Sequence, residues 1–156
     1  MRELQLRNRQ RAQAVNIKFL REVTRALLDE ELKLGSYELG VALVSPAKMA
    51  ETNWEFLQHE GSTDVITFDY REGYSEGAAE LELAGEIFIS PADARKQAKE
   101  FSTTWQGELV RYVTHGVLHL RGFDDLEPAK RKIMKREENR LMPRLSARFD
   151  LRKVGQ

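Results

Sequence analysis

Apolar residues alternate along the first segment of the chain. In ELQLRNRQ (Glu3–Gln10), Leu4 and Leu6 fall on one side and polar residues on the other, the pattern of a half-buried strand. The period then lengthens. Val15, Phe19, Val23, Ala26, Leu27 and Leu28 recur at helical spacing through VNIKFLREVTRALLDEELKL, and Gly35 is the expected stop. YELGVALVS returns to β-forming residues. Ser45-Pro46 and Ser90-Pro91 are matching helix starts, each with a serine cap and a proline in the first turn, and Asp93 completes a Ser-x-x-Asp capping box.

Between those two starts lie TDVITFDY and LAGEIFIS, read as strands, separated by the glycine- and acid-rich loop YREGYSEGAAELE. From Thr103, TTWQGELVRYVTHGVLHL is helical, and Gly122 ends it. A last helix follows Pro128 and is expected to close at Leu141, before Met142-Pro143. Trp54 and Trp105 are read as core residues rather than base-stacking platforms. The order β-α-β-α-β-β-α-α-α predicts an α+β protein with a small mixed sheet and a helical layer.

Composition narrows the class. A chain of 156 residues with 41% hydrophobic and 32% charged residues suits one globular domain spanning 1–156, without repeats or an interdomain linker. Cysteine is absent, which excludes disulfides and thiolate metal ligands. No run approaches the roughly 18 apolar residues of a membrane span, and MRELQLRNRQRAQ has no apolar signal core, so the expected location is the cytoplasm.

The net charge of zero is unevenly spread: +5 over residues 1–25, −10 over 26–120 and +5 over 121–156. Basic ends suit a phosphate backbone, whereas KRKIMKREENR, with its interleaved acids, equally suits a solvated helix face.

The chemistry concentrates in HGVLHLRGFDD (His115–Asp125). Residues four apart on a helix lie about 40° apart around its axis, so His115 and His119 can face one ion. Gly122 lets the chain turn back, and Asp125 can return a carboxylate, which makes His115, His119 and Asp125 a three-ligand set open to water. A metalloprotease would carry glutamate after the first histidine; here that residue is Gly116, which argues against peptide hydrolysis. The plainer alternative also stands. The histidines could be packing, Gly122 an ordinary helix end, and Asp124 and Asp125 caps for the next helix. Gly116 weighs against it, because a mid-helix glycine costs about 1 kcal/mol and implies a close approach.

HGVLHLRGFDD resembles the motif of the YbeY family, bacterial endoribonucleases, which reads His-Gly-x-Leu-His-Leu-x-Gly-Tyr-Asp-His. STDVITF (Ser62–Phe68) is similar to the family's Pro-Thr-Asp-Val-Leu-Ser-Phe strand, GEIFIS (Gly85–Ser90) to its Gly-Asp-Ile strand, and Asn53 to the asparagine of its Asn-x-x-Tyr-Arg segment.

The resemblance implies a zincin-like α+β fold and one bound zinc or other divalent metal. It also implies hydrolysis of single-stranded RNA in ribosomal RNA maturation, at the small-subunit 3′ end, and in ribosome quality control. The implied partners are ribosomal RNA and, beyond it, small-subunit proteins or an assembly GTPase, with neither DNA nor membrane. His115 and His119 carry over as metal ligands. Two positions depart: the family's third histidine is Asp125, and its phosphate-binding arginine falls at Leu57. Arg71, Arg111 and Arg121 are the candidates to replace that arginine.

Asp124 and Arg121 are the catalytic candidates, Asp124 either as an acid–base group or as a carboxylate orienting an imidazole. Glu86 and Asp69 are further candidates for the base, and His59 is read as a surface residue. The competing functions are a ribosome assembly factor with a structural metal and little nuclease activity, and a metal hydrolase acting on another substrate.

Overall fold

A computed structural model describes residues 1–57, 65–72, 77 and 80–156, with the side chains of residues 56, 57 and 72 left aside. The expectations for His59, for the Ser62–Asp64 start of the third strand and for most of the acidic loop lie outside the described residues.

Among the described residues, four strands form one sheet: β1 (Arg2–Asn8), β2 (Tyr37–Leu43), β3 (Val65–Asp69) and β4 (Leu83–Ile89), in the order β1-β2-β4-β3. β1, β2 and β4 run parallel, with Leu4 opposite Leu39 and Val41 opposite Ile87. β3 pairs antiparallel with β4 at the edge. The mixed sheet and α+β class expected from the element order are therefore present.

The crossover from β1 to β2 is α1 (Ile17–Ala26), whose Asn16 cap accepts the Phe19 amide at 3.0 Å. This helix ends sooner than its apolar spacing predicts. Leu27–Glu31 widen into a π-helical turn and Lys33 takes a left-handed conformation (φ 53°), so the stop precedes Gly35. The wider turn brings Leu27, Leu28 and Leu34 together into the core, where all three are buried.

Both serine–proline starts are as expected. Ser45 caps α2 (Pro46–Thr52) and Ser90 caps α3 (Pro91–Phe101), each through its hydroxyl oxygen. α2 is followed by a second π-helical turn, Asn53–Leu57, and there the reading of Trp54 as core fails: the residue is 59% exposed. Trp105, by contrast, packs against the main core.

α4 (Trp105–Leu120) carries both histidines and crosses the helical face of the sheet, capped by Thr104, whose hydroxyl oxygen accepts the Gly107 amide at 3.2 Å. Two glycines set its distance from the sheet. A Cβ on Gly116 would lie 2.9–3.1 Å from three side-chain carbons of the buried Ile87. A Cβ on Gly85 would meet the Phe68 carbonyl oxygen at 2.4 Å and a methyl of Leu120 at 2.8 Å. The close approach that Gly116 signals is thus that of β4, not of a ligand.

α5 (Pro128–Arg148) does not stop at Met142-Pro143 but runs straight through the proline. Proline removes one backbone donor there, yet Asn139, whose carbonyl loses its partner, is exposed and can be solvated. Beyond the proline, the buried Leu145 and a two-pronged bond from Arg144 to Glu31 (2.8 and 3.1 Å) hold the helix down. A short 3₁₀ turn, Leu151–Gly155, which the sequence pattern does not reveal, buries Val154 beneath α1 and α4.

Candidate metal centre and substrate cleft

The end of α4 is a Schellman turn. Gly122, at φ 102°, donates its amide to the His119 carbonyl at 3.0 Å, and the Phe123 amide bonds the Leu118 carbonyl at 3.1 Å. That turn folds the Phe123 carbonyl back under His119, whose Nδ1 lies 3.0 Å from it. A carbonyl oxygen only accepts, so Nδ1 carries the hydrogen and the lone pair of the neutral ring sits on Nε2.

His115 is held in the same manner by a different partner. Its Nδ1 lies 3.1 Å from Oε2 of Glu138, a residue of α5 only 4% exposed. Arg111, one turn earlier on α4, donates to the other carboxylate oxygen at 2.8 Å, and Lys135 stands 3.7 Å from it. Burial pushes the Glu138 carboxyl up, but the bonds from His115 and Arg111, with the Lys135 charge, outweigh it and hold the group below its ordinary value. The bond to Glu138 in turn raises the His115 pKa, against burial and with help from Asp125.

The ionised Glu138 fixes the hydrogen of His115 on Nδ1, which turns Nε2 toward Asp125, 3.5 Å from its Oδ2. In the neutral ring these are two lone-pair atoms facing each other, an arrangement that calls for a cation or a proton between them. Two ligands of one tetrahedral zinc at its ordinary bond lengths stand about 3.4 Å apart, so the pair suits a shared ion. Among the described residues, no three His, Asp or Glu side chains lie close enough to hold one ion together. The structure thus forms the His115–Asp125 pair and places His119 one turn further along α4.

Other expected site residues have different occupations. Asp124 does not orient an imidazole: Glu138 and the Phe123 carbonyl do that, while Asp124 Oδ1 accepts the Leu126 amide at 2.9 Å and fixes the turn carrying Asp125. Arg121 donates to the Glu82 carbonyl. Arg71 bonds the carbonyls of Leu120 (2.6 Å) and Glu82 (3.0 Å) and pairs with Asp69 at 3.4 Å. Arg111 is held by Glu138. All three arginines considered as replacements for the one absent at Leu57 are therefore committed to the scaffold. Glu86 accepts the Tyr70 hydroxyl in a separate polar groove beside Glu38 and Arg7, and so it and Asp69 stand outside the histidine cleft.

That cleft, about 580 Å³, is lined by His115 and Asp125 together with Phe101, Tyr112, Arg131 and Lys135. Sequence reasoning missed Glu138, Arg131 and Lys135. A usable signal existed for Glu138: it falls on the stripe Met134, Leu141, Met142 and Leu145, all buried, and an acid on an apolar stripe demands a partner.

Fold and cleft define a class: a small α+β domain with two histidines on a central helix and a carboxylate on the turn after it. The chain belongs to the YbeY family, since the family model described as Endoribonuclease YbeY matches residues 5–146. A Parabacteroides distasonis protein named Endoribonuclease YbeY is 39% identical over 105 residues, 67% of this chain and 69% of that one. A Thermotoga petrophila protein of the same name is 37% identical over 118 residues, 74% of this chain and 73% of its own. The solution structure of TM1509 from Thermotoga maritima aligns with a TM-score of 0.64 over 100% of this chain and 96% of that one; at 24% identity it bears on the fold alone.

Proposed function

We propose that this chain is a metal-dependent endoribonuclease that cuts single-stranded RNA in the cytoplasm during ribosomal RNA maturation. The observation that carries the metal-dependent reading is the facing pair His115 Nε2 and Asp125 Oδ2, 3.5 Å apart, in a chain whose relatives are named endoribonucleases. The relatives bear an enzyme's name, so the reading as an assembly factor with little activity is not favoured.

His115, His119 and Asp125 are the residues that would hold the metal, zinc being the ion their nitrogen and oxygen donors suit. A metal there supplies Lewis-acid polarisation of the scissile phosphate and activation of water. The protein's own part is to fix the donors: Glu138 and the Phe123 carbonyl each hold an imidazole by Nδ1 and leave Nε2 for the ion. Asp124 positions Asp125 through the Leu126 turn, and Arg121 ties the end of α4 to Glu82. Arg111 balances the Glu138 charge, so the buried carboxylate does not repel an approaching phosphate.

The test is elemental analysis of protein purified without chelator or a histidine tag, beside cleavage of a single-stranded oligoribonucleotide. The expectation is about one zinc per chain, lost in Asp125→Ala, and cleavage lost in His119→Ala. A folded wild-type protein with neither metal nor cleavage would sink the reading.

A further inference from the structure

The arginine that the family resemblance places at Leu57 is absent, and Arg71, Arg111 and Arg121 are engaged elsewhere, which leaves the question of what holds an RNA backbone at the cleft. α5 supplies cations in a continuous row. Arg131, Lys132, Lys135 and Arg136 line one shallow groove on its outer face, and Arg131 and Lys135 also line the cleft of His115 and Asp125. The groove therefore adjoins the cleft of the candidate metal centre.

Arg131 is anchored by a 3.0 Å bond from Nε to the Asp125 carbonyl, beside the pair of candidate ligands. Lys132 and Arg136 are exposed and make no ion pair or side-chain hydrogen bond among the described residues. Lys132 and Arg136, without acidic partners among the described residues, are free to neutralise phosphates, whereas Lys135 stands 3.7 Å from Glu138. The same cleft carries a group of another kind: Phe101, at the end of α3, is 58% exposed and lines it. A row of cations adjoining a cleft that also holds an exposed aromatic ring fits a single strand, whose phosphates and unstacked bases project in different directions. An acidic protein partner would use the cations and leave the ring without a purpose.

We propose that the outer face of α5, through Arg131, Lys132, Lys135 and Arg136, tracks the backbone of single-stranded RNA into the cleft, where Phe101 stacks a base. The proposal rests on the endoribonuclease reading and specifies where its substrate lies. It assigns to Arg131 and Lys135 the phosphate contact that Leu57 cannot make.

The experiment is fluorescence anisotropy of the full-length metal-loaded protein with a labelled, nuclease-resistant 2′-O-methyl single-stranded oligonucleotide, over a range of salt. Cleavage of the unmodified strand is followed in parallel. Lys132→Glu/Arg136→Glu is expected to weaken binding at least tenfold and to lower the salt slope by about 2, because two phosphate contacts are lost. Phe101→Ala is expected to weaken binding by about tenfold with the salt slope unchanged, and Phe101→Trp to retain it.

A charge-matched control on α1, Lys18→Glu/Arg21→Glu, alters exposed cations away from the cleft and should leave both readings as in the wild type. All of these side chains are exposed, so melting temperature and zinc content should not move. Wild-type cleavage together with unchanged binding in the α5 variant, or an equal loss in the α1 control, would overturn the track and leave the nuclease reading intact. A wild type that neither binds nor cuts RNA would overturn both.

Discussion

Glu138 of α5 and His115 of α4 meet at 3.1 Å, and through that bond a helix far along the chain decides which nitrogen of the histidine faces Asp125. Carboxylates behind ligand imidazoles typically contribute 10- to 100-fold in metal affinity. Glu138→Gln keeps the volume and removes the charge, so zinc affinity, read by competition with a chromophoric chelator, should fall by about tenfold or more. Glu138→Ala should in addition lower stability by about 3 kcal/mol, because Arg111 and His115 would lose a buried partner. Unchanged zinc affinity in the glutamine variant would remove Glu138 from the site.

The same pair gives the metal-free protein a pH dependence. The His115 pKa is raised on folding, so its contribution is full below the unfolded value of about 6.5 and is lost as pH rises through the folded one. The Glu138 pKa is lowered, so its contribution holds above about 4.3 and is lost as pH falls through the depressed value. Metal-free protein should therefore resist urea better at about pH 6 than at about pH 8, with the difference much reduced in His115→Gln. Zinc requires the neutral ring, so its affinity should run the opposite way and rise with pH. A flat urea profile in the metal-free wild type would count against the pair.

Gly116→Ala sets two effects against each other. Alanine adds about 1 kcal/mol of helix propensity, whereas its methyl would press on Ile87 at 2.9–3.1 Å, an overpacking that costs about 1–3 kcal/mol. Ile87 is fully buried and cannot swing away, so the net outcome is a loss of about 1 kcal/mol and a melting temperature lower by about 3 °C. Adding Ile87→Val removes the nearest carbon and should recover part of the loss. A double-mutant cycle by thermal melts measures that coupling, and strict additivity would refute the contact.

Pro143 lies within a helix that continues for five residues beyond it. Pro143→Ala returns a donor to the Asn139 carbonyl and removes the ring clash, a gain of about 3 kcal/mol, reduced by about 1 kcal/mol from the freer unfolded chain. The variant should melt higher by several degrees. A lower melting temperature would mean that the proline is itself part of the packing.

Much of the fold is local information and was legible along the chain. The alternation of Leu4 and Leu6, the two serine–proline caps and the long apolar pattern ending at Gly122 each report conformations settled within a few residues. For that reason, within the described residues, the strands, α2, α3 and α4 stand where their patterns place them to within a residue or two. The errors fall where local preference meets packing. Proline at 143 and glycine at 35 are breakers in isolation, but the burial of Leu145 carries α5 past the first, and the burial of Leu28 and Leu34 ends the earlier helix before the second. Trp54 reads as core by its chemistry alone, yet the π-helical turn leaves it exposed.

The candidate site divides along the same line. The sequence by itself determined the two histidines on one helix face, the Gly122 turn and the return of Asp125, because all three arise within eleven residues of continuous chain. Only the tertiary structure decided that Glu138 stands behind His115, that Ile87 is what Gly116 makes room for, and that the cations at the cleft are Arg131 and Lys135. Each of those contacts depends on where α5 or β4 crosses α4. Crossing positions follow from the packing of the whole core, a sum over many distant side chains that no local period records.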